Sequence, residues 1–320
     1  MRLATESVCQ YRHMTLKSLR VHVAVAINPS ASKGAGVEIG PALVDALRAS
    51  GRTVQVIQED SYDELLASCR TAVGHGIDAL IVVGGDGTAQ LGANACAETD
   101  VPLAIMPSGT GNDTACGMLN MPEGDTTAGI DAIIDALDRP AQRIDAGIMT
   151  FGGVTRWFIS TVSAGFDGIV NERTNRMSWP TGPNRYIVAM LLELAGLKPI
   201  KYRLTLDGAT EDEQGVLLTV ANNNRYGGGM LICPDARWDD GLLDVMIVRP
   251  VSRLGLLRIF PKVFTGKHVT DRRVVIRQAR SIRIESEGLI GYSDGERIGP
   301  LPCDIEVRPG ALLVLPAAVR

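Results

Sequence analysis

The chain has 320 residues, of which 45% are hydrophobic and 21% are charged, and these values suit two packed domains rather than a disordered protein. The formal net charge of −4 argues against a general nucleic-acid-binding protein, which would carry a basic footprint. The six cysteines include no Cys-x-x-Cys pair, so they indicate reduced thiols in a cytosol rather than a disulfide framework or a zinc site.

The first half of the chain alternates predicted strands and helices. One strand is continuously apolar, as in a buried parallel sheet, and glycines close two of the helices. Repeated β-α-β units with short connections predict a doubly wound parallel sheet, in which ligands bind at the carboxyl ends of the strands. The predicted strands are Val21–Ile27, Thr53–Ile57, Ala79–Val83 and Leu103–Met106, and the predicted helices are Val37–Ser50, Tyr62–Val73, Thr88–Ala97 and Thr126–Leu137.

The second half reads as mostly antiparallel strands joined by Asp-Gly and Gly-rich turns. We expect an N-terminal tail at 1–20, an α/β domain at 21–145 and a β-rich domain at 146–320, whose last strand is a candidate to return to the first domain. Helices are predicted at Asn184–Leu197 and Arg253–Phe264. The predicted strands are Arg156–Val162, Tyr202–Leu206, Val216–Ala221, Leu243–Val248, Val274–Ile276, Ser281–Glu285, Asp304–Val307 and Ala311–Leu315.

Two glycine-rich turns follow neighbouring strands of the first half. The first is Gly84-Gly85-Asp86-Gly87-Thr88 and the second runs from Ser108 to Asp113. Glycines allow positive φ and let backbone N–H groups approach a ligand, and a helix that begins near Thr88 points its positive end at the same place. Each turn alone also fits an ordinary helix-capping loop. Together they predict a nucleotide phosphate site.

The side chains of these turns suggest acidic chemistry beside the phosphates. A carboxylate at Asp86 would hold Mg²⁺ or accept a hydroxyl proton. Thr110 can donate its hydroxyl to a phosphate, and Asn112 or Asp113 can cap the helix that follows. No Gly-x-x-x-x-Gly-Lys-[Ser/Thr] motif occurs, and the glycines from Gly34 to Gly40 match the dinucleotide fingerprint only weakly. The pattern therefore favours a kinase that is not a P-loop enzyme.

These residues resemble the soluble diacylglycerol kinase and bacterial lipid kinase family, which is related to sphingosine kinases and more distantly to NAD kinase and phosphofructokinase. The first turn is shared by all these kinases, whereas the Gly-Thr-Gly-Asn-Asp turn and the late Asp-Gly-Glu distinguish the lipid kinase branch from NAD kinase. The resemblance runs from Val21 onward, on Asn28-Pro29 with Gly34, Gly84–Thr88, Pro107–Asp113, Asp145, Ser163–Asp167, Tyr226–Pro234, Asp239–Val245 and Tyr292–Glu296.

The resemblance implies a fold, a set of site residues and two cofactors. The fold would be a sheet domain like that of NAD kinase and phosphofructokinase, followed by a β-rich sandwich domain. Glu296 is implied as the base that takes the lipid hydroxyl proton, with Asp86 as its rival. A structural Mg²⁺ is implied at the side chain of Asp240 and the backbone oxygens of Arg237 and Leu242, where a plain hairpin turn is the alternative. The residues implied for ATP are Asn28, Gly84, Gly85, Asp86, Gly87, Thr88, Thr110, Asn112 and Asp113.

Some side chains depart from the family pattern. Many members have Asn-Glu after the first turn, where this chain has Gln90-Leu91, and many have an aromatic residue and then Ala-Arg after the second, where it has Thr114-Ala115-Cys116. These changes leave the glycines and Asp86 intact. We therefore expect an ATP- and Mg²⁺-dependent lipid kinase that converts diacylglycerol, or a related lipid alcohol, to phosphatidate. The alternatives are NAD kinase or another small-molecule kinase, and a non-catalytic nucleotide- or lipid-binding regulator.

A basic stretch suggests where the lipid would be met. Residues 249–283 hold ten Lys or Arg residues and one acid, Asp271, which gives a local charge of +9. Together with neighbouring leucines, this stretch could meet an anionic inner membrane surface, although a solvated face paired with acids elsewhere is the alternative. No signal peptide and no run of about 18 apolar residues is visible. We expect a cytoplasmic, peripherally membrane-associated protein, and the resemblance is compatible with a homodimer.

Overall fold

The computed structural model describes residues 21–28, 35–109, 111–180, 184–194 and 196–318. The chain divides into two units. The first unit comprises Met1–Gly109, Leu119–Gln142 and Leu313–Arg320, and the second comprises Thr110–Met118 and Arg143–Leu312. The tail expected at 1–20 lies outside the described residues.

The first unit is built on a parallel sheet with the strand order β2-β1-β3-β4. After β4, Val314 from the end of the chain pairs in parallel with Leu103. This parallel α/β architecture confirms the predicted fold class. The elements are β1 His22–Ile27, α1 Ala35–Ala49, β2 Thr53–Gln58, α2 Tyr62–Gly74, β3 Ala79–Gly84, α3 Asp86–Cys96, β4 Leu103–Pro107 and α4 Thr126–Ala136.

Local sequence explains these elements. All six residues of β3 are buried, so its continuous apolar run is required by a sheet covered on both faces. Ser61 and Asp125 cap α2 and α4 by accepting the N–H groups of Glu64 and Ala128. The sheet therefore follows from apolar strands separated by well-capped helices.

The second unit is mostly antiparallel. The segment Asp113–Met118, which belongs to this unit, forms a π-helix. The remaining helices are α5 Phe166–Arg176, α6 Asn184–Leu194 and α7 Arg253–Ile259, and α7 continues into 3₁₀-helices at Phe260–Thr265 and Lys267–Thr270. The strands are β5 Gln142–Phe151, β6 Val154–Phe158, β7 Thr161–Gly165, β8 Ile200–Leu206, β9 Ala209–Gly215, β10 Leu217–Ala221, β11 Leu243–Val248, β12 Val274–Ala279, β13 Ser281–Glu285, β14 Ile290–Ser293, β15 Glu296–Pro300 and β16 Cys303–Val314.

Two sheets of the second unit share one core. One contains the order β16-β13-β8-β9, with β5 paired to β16 and β6, and the other has the order β12-β11-β10-β7-β14-β15. Buried side chains from both sheets, among them Phe158 and Ile284 from the first and Val162 and Val245 from the second, belong to one apolar cluster. The predicted β-rich sandwich is therefore confirmed.

Several element boundaries differ from the prediction. The single strand predicted over Arg156–Val162 is wrong, because the backbone at Ile159 and Ser160 leaves the strand to donate its N–H groups to Asp294. The helix predicted over Arg253–Phe264 changes to a 3₁₀-helix after Ile259, since Pro261 has no N–H for the next α-helical bond. Strand β9 was not predicted, because its sequence ATEDEQG is polar and suits only an exposed edge.

Asp145, the only acidic residue of β5, fixes two glycine turns of the second unit. Its carboxylate accepts the N–H of Gly241 at 2.7 Å and that of Gly310 at 2.8 Å. The Gly310 contact helps one strand, β16, to run through Pro309-Gly310, where two strands were predicted. Asp145 is 4% exposed, so water cannot replace this carboxylate easily. The arrangement ties two loops that are far apart in sequence to one strand.

Replacing Asp145 by Ala is expected to destabilise the protein by roughly 3–6 kcal/mol, because two part-buried N–H groups lose a buried charged acceptor. Urea unfolding followed by circular dichroism measures this change in the free energy of unfolding. Asp207 provides a matched control, since its exposed carboxylate also accepts two backbone N–H groups, from Arg280 and Ser281 at 2.9 Å each. Asp207→Ala should cost only about 1 kcal/mol, because water reaches those groups. Equal losses for the two variants would show that burial of Asp145 is unimportant.

Candidate active site

The first glycine turn joins β3 to α3 and places a carboxylate at the start of a helix. Gly85 is the N-cap, α3 begins at Asp86, and the N–H groups of Thr88 and Ala89 bond to the Gly85 oxygen at 3.0 and 2.9 Å. The helix thus begins two residues earlier than predicted. The first N–H groups of an α-helix precede its first intrahelical bonds, which here begin at Thr88, and the helix dipole adds positive potential there. The turn can therefore bind an anion, with Asp86 beside it.

The reason that glycine occupies this turn differs from the prediction. Gly84, Gly85 and Gly87 do not have positive φ, so these positions do not need glycine for its backbone conformation. A Cβ at Gly84 would instead lie 2.2 Å from the Thr88 hydroxyl oxygen, so close packing requires glycine there. Thr88 is itself 5% exposed and fixes the turn from inside.

Asn28 and the second turn lie at the same edge of the sheet as the first. Gly84 is the register partner of Pro107, and the Ser108 N–H donates to the Gly84 oxygen at 3.0 Å. Asn28 follows β1, whose last residue pairs with Val83. The Ser108 hydroxyl is buried and has no hydrogen-bond partner within the part of the chain that the structure describes. Thr110, predicted to contact ATP, lies outside the described residues.

Asp113 organises a glycine-rich loop of the second unit. Its two carboxylate oxygens accept the N–H groups of Gly228 and Gly229 at 2.6 and 2.7 Å. Gly227–Gly229 all have positive φ, so this loop can form only with glycine. The Asn112 carbonyl accepts the Cys116 N–H, and the helix that follows is of the π type. The contribution of Asn112 and Asp113 to nucleotide binding stays a prediction.

Glu296 begins β15 directly after a tight hairpin turn. The turn residues Asp294 and Gly295 have φ of 47° and 87°, as a type I′ turn requires. Asp294 is buried, and its carboxylate accepts the N–H groups of Ile159, Ser160 and Thr161 at 3.2, 3.1 and 2.8 Å. Glu296 is exposed. The hairpin therefore presents Glu296 from an anchored turn.

Sequence reasoning missed the roles of Asp294 and of Asn222. The Asn222 side chain is fully buried and donates to the carbonyls of Asp145 and Ile159 at 2.9 and 3.0 Å. A hairpin Asp-Gly pair is expected at any turn, so it does not reveal that its carboxylate points inward. The one usable signal was the break in apolar alternation at Ser160, where a strand was predicted to continue.

The predicted metal residues lie in the turn before β11. The Asp240 carboxylate accepts the Leu242 N–H at 3.0 Å, and the Arg237 guanidinium pairs with Asp239 at 3.1 Å. Burial, and then the charges of Asp240 and Asp235, raise the pKa of Asp244 to about 6. No group of three His, Cys, Asp or Glu side chains suited to a metal occurs among the described residues. The predicted site instead combines one carboxylate with two backbone oxygens, donors that suit Mg²⁺.

An apolar cavity lies within the second unit. It has a volume of about 50 Å³, and β10, β11, α7 and the 3₁₀-helix after α7 contribute to its lining. His268, 1% exposed, lines it, and its Nε2 is 2.9 Å from the Ile232 oxygen. Burial lowers the pKa of His268, so the ring is neutral at neutral pH. The cavity suits a hydrocarbon chain better than a charged group.

The basic stretch at 249–283 divides into two parts. Four of its arginines form ion pairs with acids, which agrees with the alternative of a solvated face: Arg249, Arg273, Arg277 and Arg283. The part from Arg253 to Lys267 carries exposed apolar side chains, with Leu254 at 68% and Phe264 at 50% exposure. Its exposed basic residues are Arg253, Arg258, Lys262 and Lys267. None of the described helices is long and apolar enough to cross a membrane.

Comparisons with known proteins identify both halves of the chain. Residues 22–147 match the diacylglycerol kinase catalytic domain, and residues 160–316 match the YegS C-terminal NAD kinase beta sandwich-like domain. The chain is 40% identical over 311 residues to a diacylglycerol kinase of Mycobacterium tuberculosis (strain ATCC 25618 / H37Rv), covering 94% of this chain and 98% of that protein.

Further relatives agree. A diacylglycerol kinase of Bacillus subtilis (strain 168) is 27% identical over 229 residues, covering 70% of this chain and 73% of that one. A solved diacylglycerol kinase structure from Bacillus anthracis str. Sterne shares the fold, with a TM-score of 0.66, 21% identity and coverage of 92% of this chain and 97% of that chain. The family resemblance of the sequence is thereby confirmed. The chain belongs to the diacylglycerol kinase family, and it is a kinase, a phosphotransferase of the lipid kinase type.

Proposed function

We propose that this kinase transfers the γ-phosphoryl group of ATP to the free hydroxyl of diacylglycerol and so forms phosphatidate. The observation that carries the proposal is the turn at Gly84–Thr88, where a helix start and a carboxylate occur together. The 40% identity to a diacylglycerol kinase supports this choice of acceptor over NAD.

ATP would bind at the carboxyl edge of the parallel sheet. Backbone N–H groups at the start of α3 would donate hydrogen bonds to phosphate oxygens, as helix starts commonly do. Asn28 follows the neighbouring strand, and the buried Ser108 hydroxyl would gain a partner from a ligand there. Thr110, Asn112 and Asp113 remain proposed contacts. Recognition by backbone groups fits a reaction in which the protein mainly positions phosphates.

The reaction asks for one proton acceptor. The lipid hydroxyl oxygen forms a bond to the γ-phosphorus, the bond from that phosphorus to the β,γ-bridging oxygen breaks, and ADP leaves. The hydroxyl proton passes to a carboxylate, for which Glu296 is the first candidate and Asp86 the second. Positioning and electrostatic stabilisation supply most of the acceleration in such transfers.

Asp86→Asn and Glu296→Gln are each expected to lower turnover about 100-fold or more, because each removes a carboxylate proposed to act on the transferred group or its proton. The measurement is transfer of labelled phosphate from ATP to diacylglycerol, with NAD, sphingosine, ceramide and undecaprenol as competing acceptors. Labelled phosphatidate should be the main product.

Two variants serve as matched controls. Asp125→Asn keeps a good helix cap in the first unit, and Glu287→Gln changes an exposed acid three residues before β14. Both should retain turnover close to that of the unmodified protein. Phosphorylation of NAD rather than of any lipid would refute the proposed function, and full activity of Asp86→Asn or of Glu296→Gln would remove that residue from the mechanism.

We further propose that Mg²⁺ binds at the Asp240 carboxylate and the backbone oxygens of Arg237 and Leu242. These oxygens are hard ligands that suit Mg²⁺. The positive guanidinium of Arg237 is paired with the Asp239 carboxylate. The charges of Asp235 and Asp240 both act on Asp244, so acidic groups gather around this turn and add to the attraction for a cation. A bound ion there would supply a structural cross-link of this turn.

Mg²⁺ without nucleotide is expected to raise the melting temperature by roughly 2–4 °C for each kcal/mol of binding free energy. Asp240→Ala should abolish this shift, because it removes the one side-chain ligand. Asp239→Ala, its neighbour, should retain it. Differential scanning fluorimetry over a Mg²⁺ titration measures the effect. An equal shift in Asp240→Ala and the unmodified protein would exclude this site.

The lipid would be taken from a membrane surface at the segment Arg253–Lys267. Exposed Leu254, Leu257 and Phe264 can enter the interfacial region, while Arg258, Lys262 and Lys267 attract anionic headgroups. Leu256 and Ile259 of the same helix line the apolar cavity instead. This short helix therefore has one side toward the cavity and one toward solvent.

The triple variant Arg258→Gln/Lys262→Gln/Lys267→Gln should bind phosphatidylglycerol vesicles about 100-fold more weakly, at about 1 kcal/mol for each basic residue. Co-sedimentation at several salt concentrations measures this affinity, which should also fall as salt rises. Arg203→Gln/Arg283→Gln/Arg308→Gln removes the same charge from ion-paired residues and should have little effect. Equal weakening by the two triple variants would argue against a localised surface.

A further inference from the structure

Three side chains link helix α5 to the hairpin that carries Glu296. The Tyr292 hydroxyl of β14 donates to Oε2 of Glu172 on α5, and the Arg297 Nε of β15 lies 3.7 Å from the same oxygen. Arg176, one helical turn after Glu172, donates to its Oε1 at 2.5 Å. Glu172 thus contacts both strands of the hairpin while its own helix holds it.

The packing around Tyr292 shows that the contact is built into the fold. Tyr292 is 2% exposed, although its hydroxyl must reach a carboxylate. A Cβ at Gly168, which lies one turn before Glu172, would be 3.2 Å from the Tyr292 ring and 3.4 Å from the Ile290 oxygen. Glycine at 168 therefore lets α5 approach β14 closely enough for the hydrogen bond.

The strand register relates this contact to Glu296. Tyr292 pairs with Arg297, and Ser293 pairs with Glu296 across the turn. Because successive side chains of a strand point to opposite faces, Arg297 and Glu296 project to opposite sides of the hairpin. Glu172 consequently holds one face of the hairpin, and Glu296, which is exposed beside the turn, projects from the other.

The electrostatics favour an ionised Glu172 beside a neutral tyrosine. The hydrogen bond from Tyr292, followed by that from Arg176, lowers the pKa of Glu172. Burial, followed by the bond to Glu172, raises the pKa of Tyr292. The hydrogen bond therefore keeps the same donor and acceptor throughout the neutral range.

We propose that Glu172 is a positioning residue for phosphoryl transfer, which acts through Tyr292 and Arg297 to fix the hairpin and so the direction of the Glu296 carboxylate. The inference rests on the proposed role of Glu296 in the reaction. A general base must lie within hydrogen-bond reach of its proton, and a displacement of about 1 Å can cost about 100-fold in rate. Glu172 itself does not touch the reacting atoms.

Tyr292→Phe and Glu172→Ala should each lower kcat about 10-fold, because either change loosens one face of the hairpin without removing Glu296. The KM for ATP should change by less than about twofold, since Gly84–Thr88 belongs to the first unit. The double variant should be no slower than the slower single variant, because both changes break one contact. Hydrogen exchange at Gly295 and Glu296 should quicken in each variant.

Tyr202→Phe is the matched control. Tyr202 is also 2% exposed, and its hydroxyl donates to the Ala164 carbonyl at 3.1 Å, away from the β14–β15 turn. It should lose stability like Tyr292→Phe while keeping kcat. Unchanged kcat in Tyr292→Phe and Glu172→Ala, losses that multiply in the double variant, or an equal kcat loss in Tyr202→Phe would each overturn the inference. An unmodified protein that phosphorylates no lipid would instead refute the proposed function.

Discussion

Buried carboxylates that accept backbone N–H groups hold the loops of the second unit in place. Glycine-rich turns leave N–H groups that no strand or helix can satisfy, and an unsatisfied buried donor costs about 1–3 kcal/mol. Asp113 and Asp145 each satisfy two such groups, and Asp294 satisfies three N–H groups at the break between β6 and β7. Charge-assisted hydrogen bonds are short and directional, so each carboxylate fixes a loop geometry as well as stabilising it. The three loops could not keep their shapes with apolar residues at these positions.

The two units differ in how their site features are built. In the first unit the turn depends on backbone groups and on the packing of Thr88 against Gly84. The departures from the family pattern fit this view, since Gln90 and Leu91 are each 1% exposed and pack inside the unit. In the second unit the hairpin of Glu296 depends on side-chain contacts with Asp294 and Glu172. Replacing one side chain in the second unit should therefore disturb mainly the loop that this side chain holds.

Much of the fold follows from the sequence because its signals are local. Continuous apolar runs, bounded by glycines, predicted the ends of the four strands of the first sheet to within a residue or two. Strand β9 was missed because its polar sequence shows no alternation of apolar residues. Among the described strands it pairs with β8, and this pairing defines it as a strand. The broken strand at Ile159 and Ser160 depends on Asp294, which lies far along the chain. Local patterns cannot reveal such long-range bonds.

The candidate site shows the same division. Gly84–Thr88 was predicted from its position after an apolar strand, although its glycines serve close packing rather than positive φ. Asp113 was predicted as a cap or ligand, and its bonds to Gly228 and Gly229 depend on tertiary structure. The contact between Glu172 and Tyr292 joins residues that share no motif. Side-chain partners across the second unit therefore required coordinates.

The return of the chain to the first unit at Leu313 has a consequence for synthesis. Leu315 donates its N–H to Leu103, next to the pairing of Val314 with that residue, so among the described residues this edge of β4 is covered by residues made long after it. Most of the second unit, Arg143–Leu312, is translated between α4 and this strand. At about 5–20 residues per second, β4 would emerge from the ribosome roughly 10–40 s before its partner. During that interval the nascent chain presents an apolar, unpaired strand edge, the kind of surface that chaperones recognise.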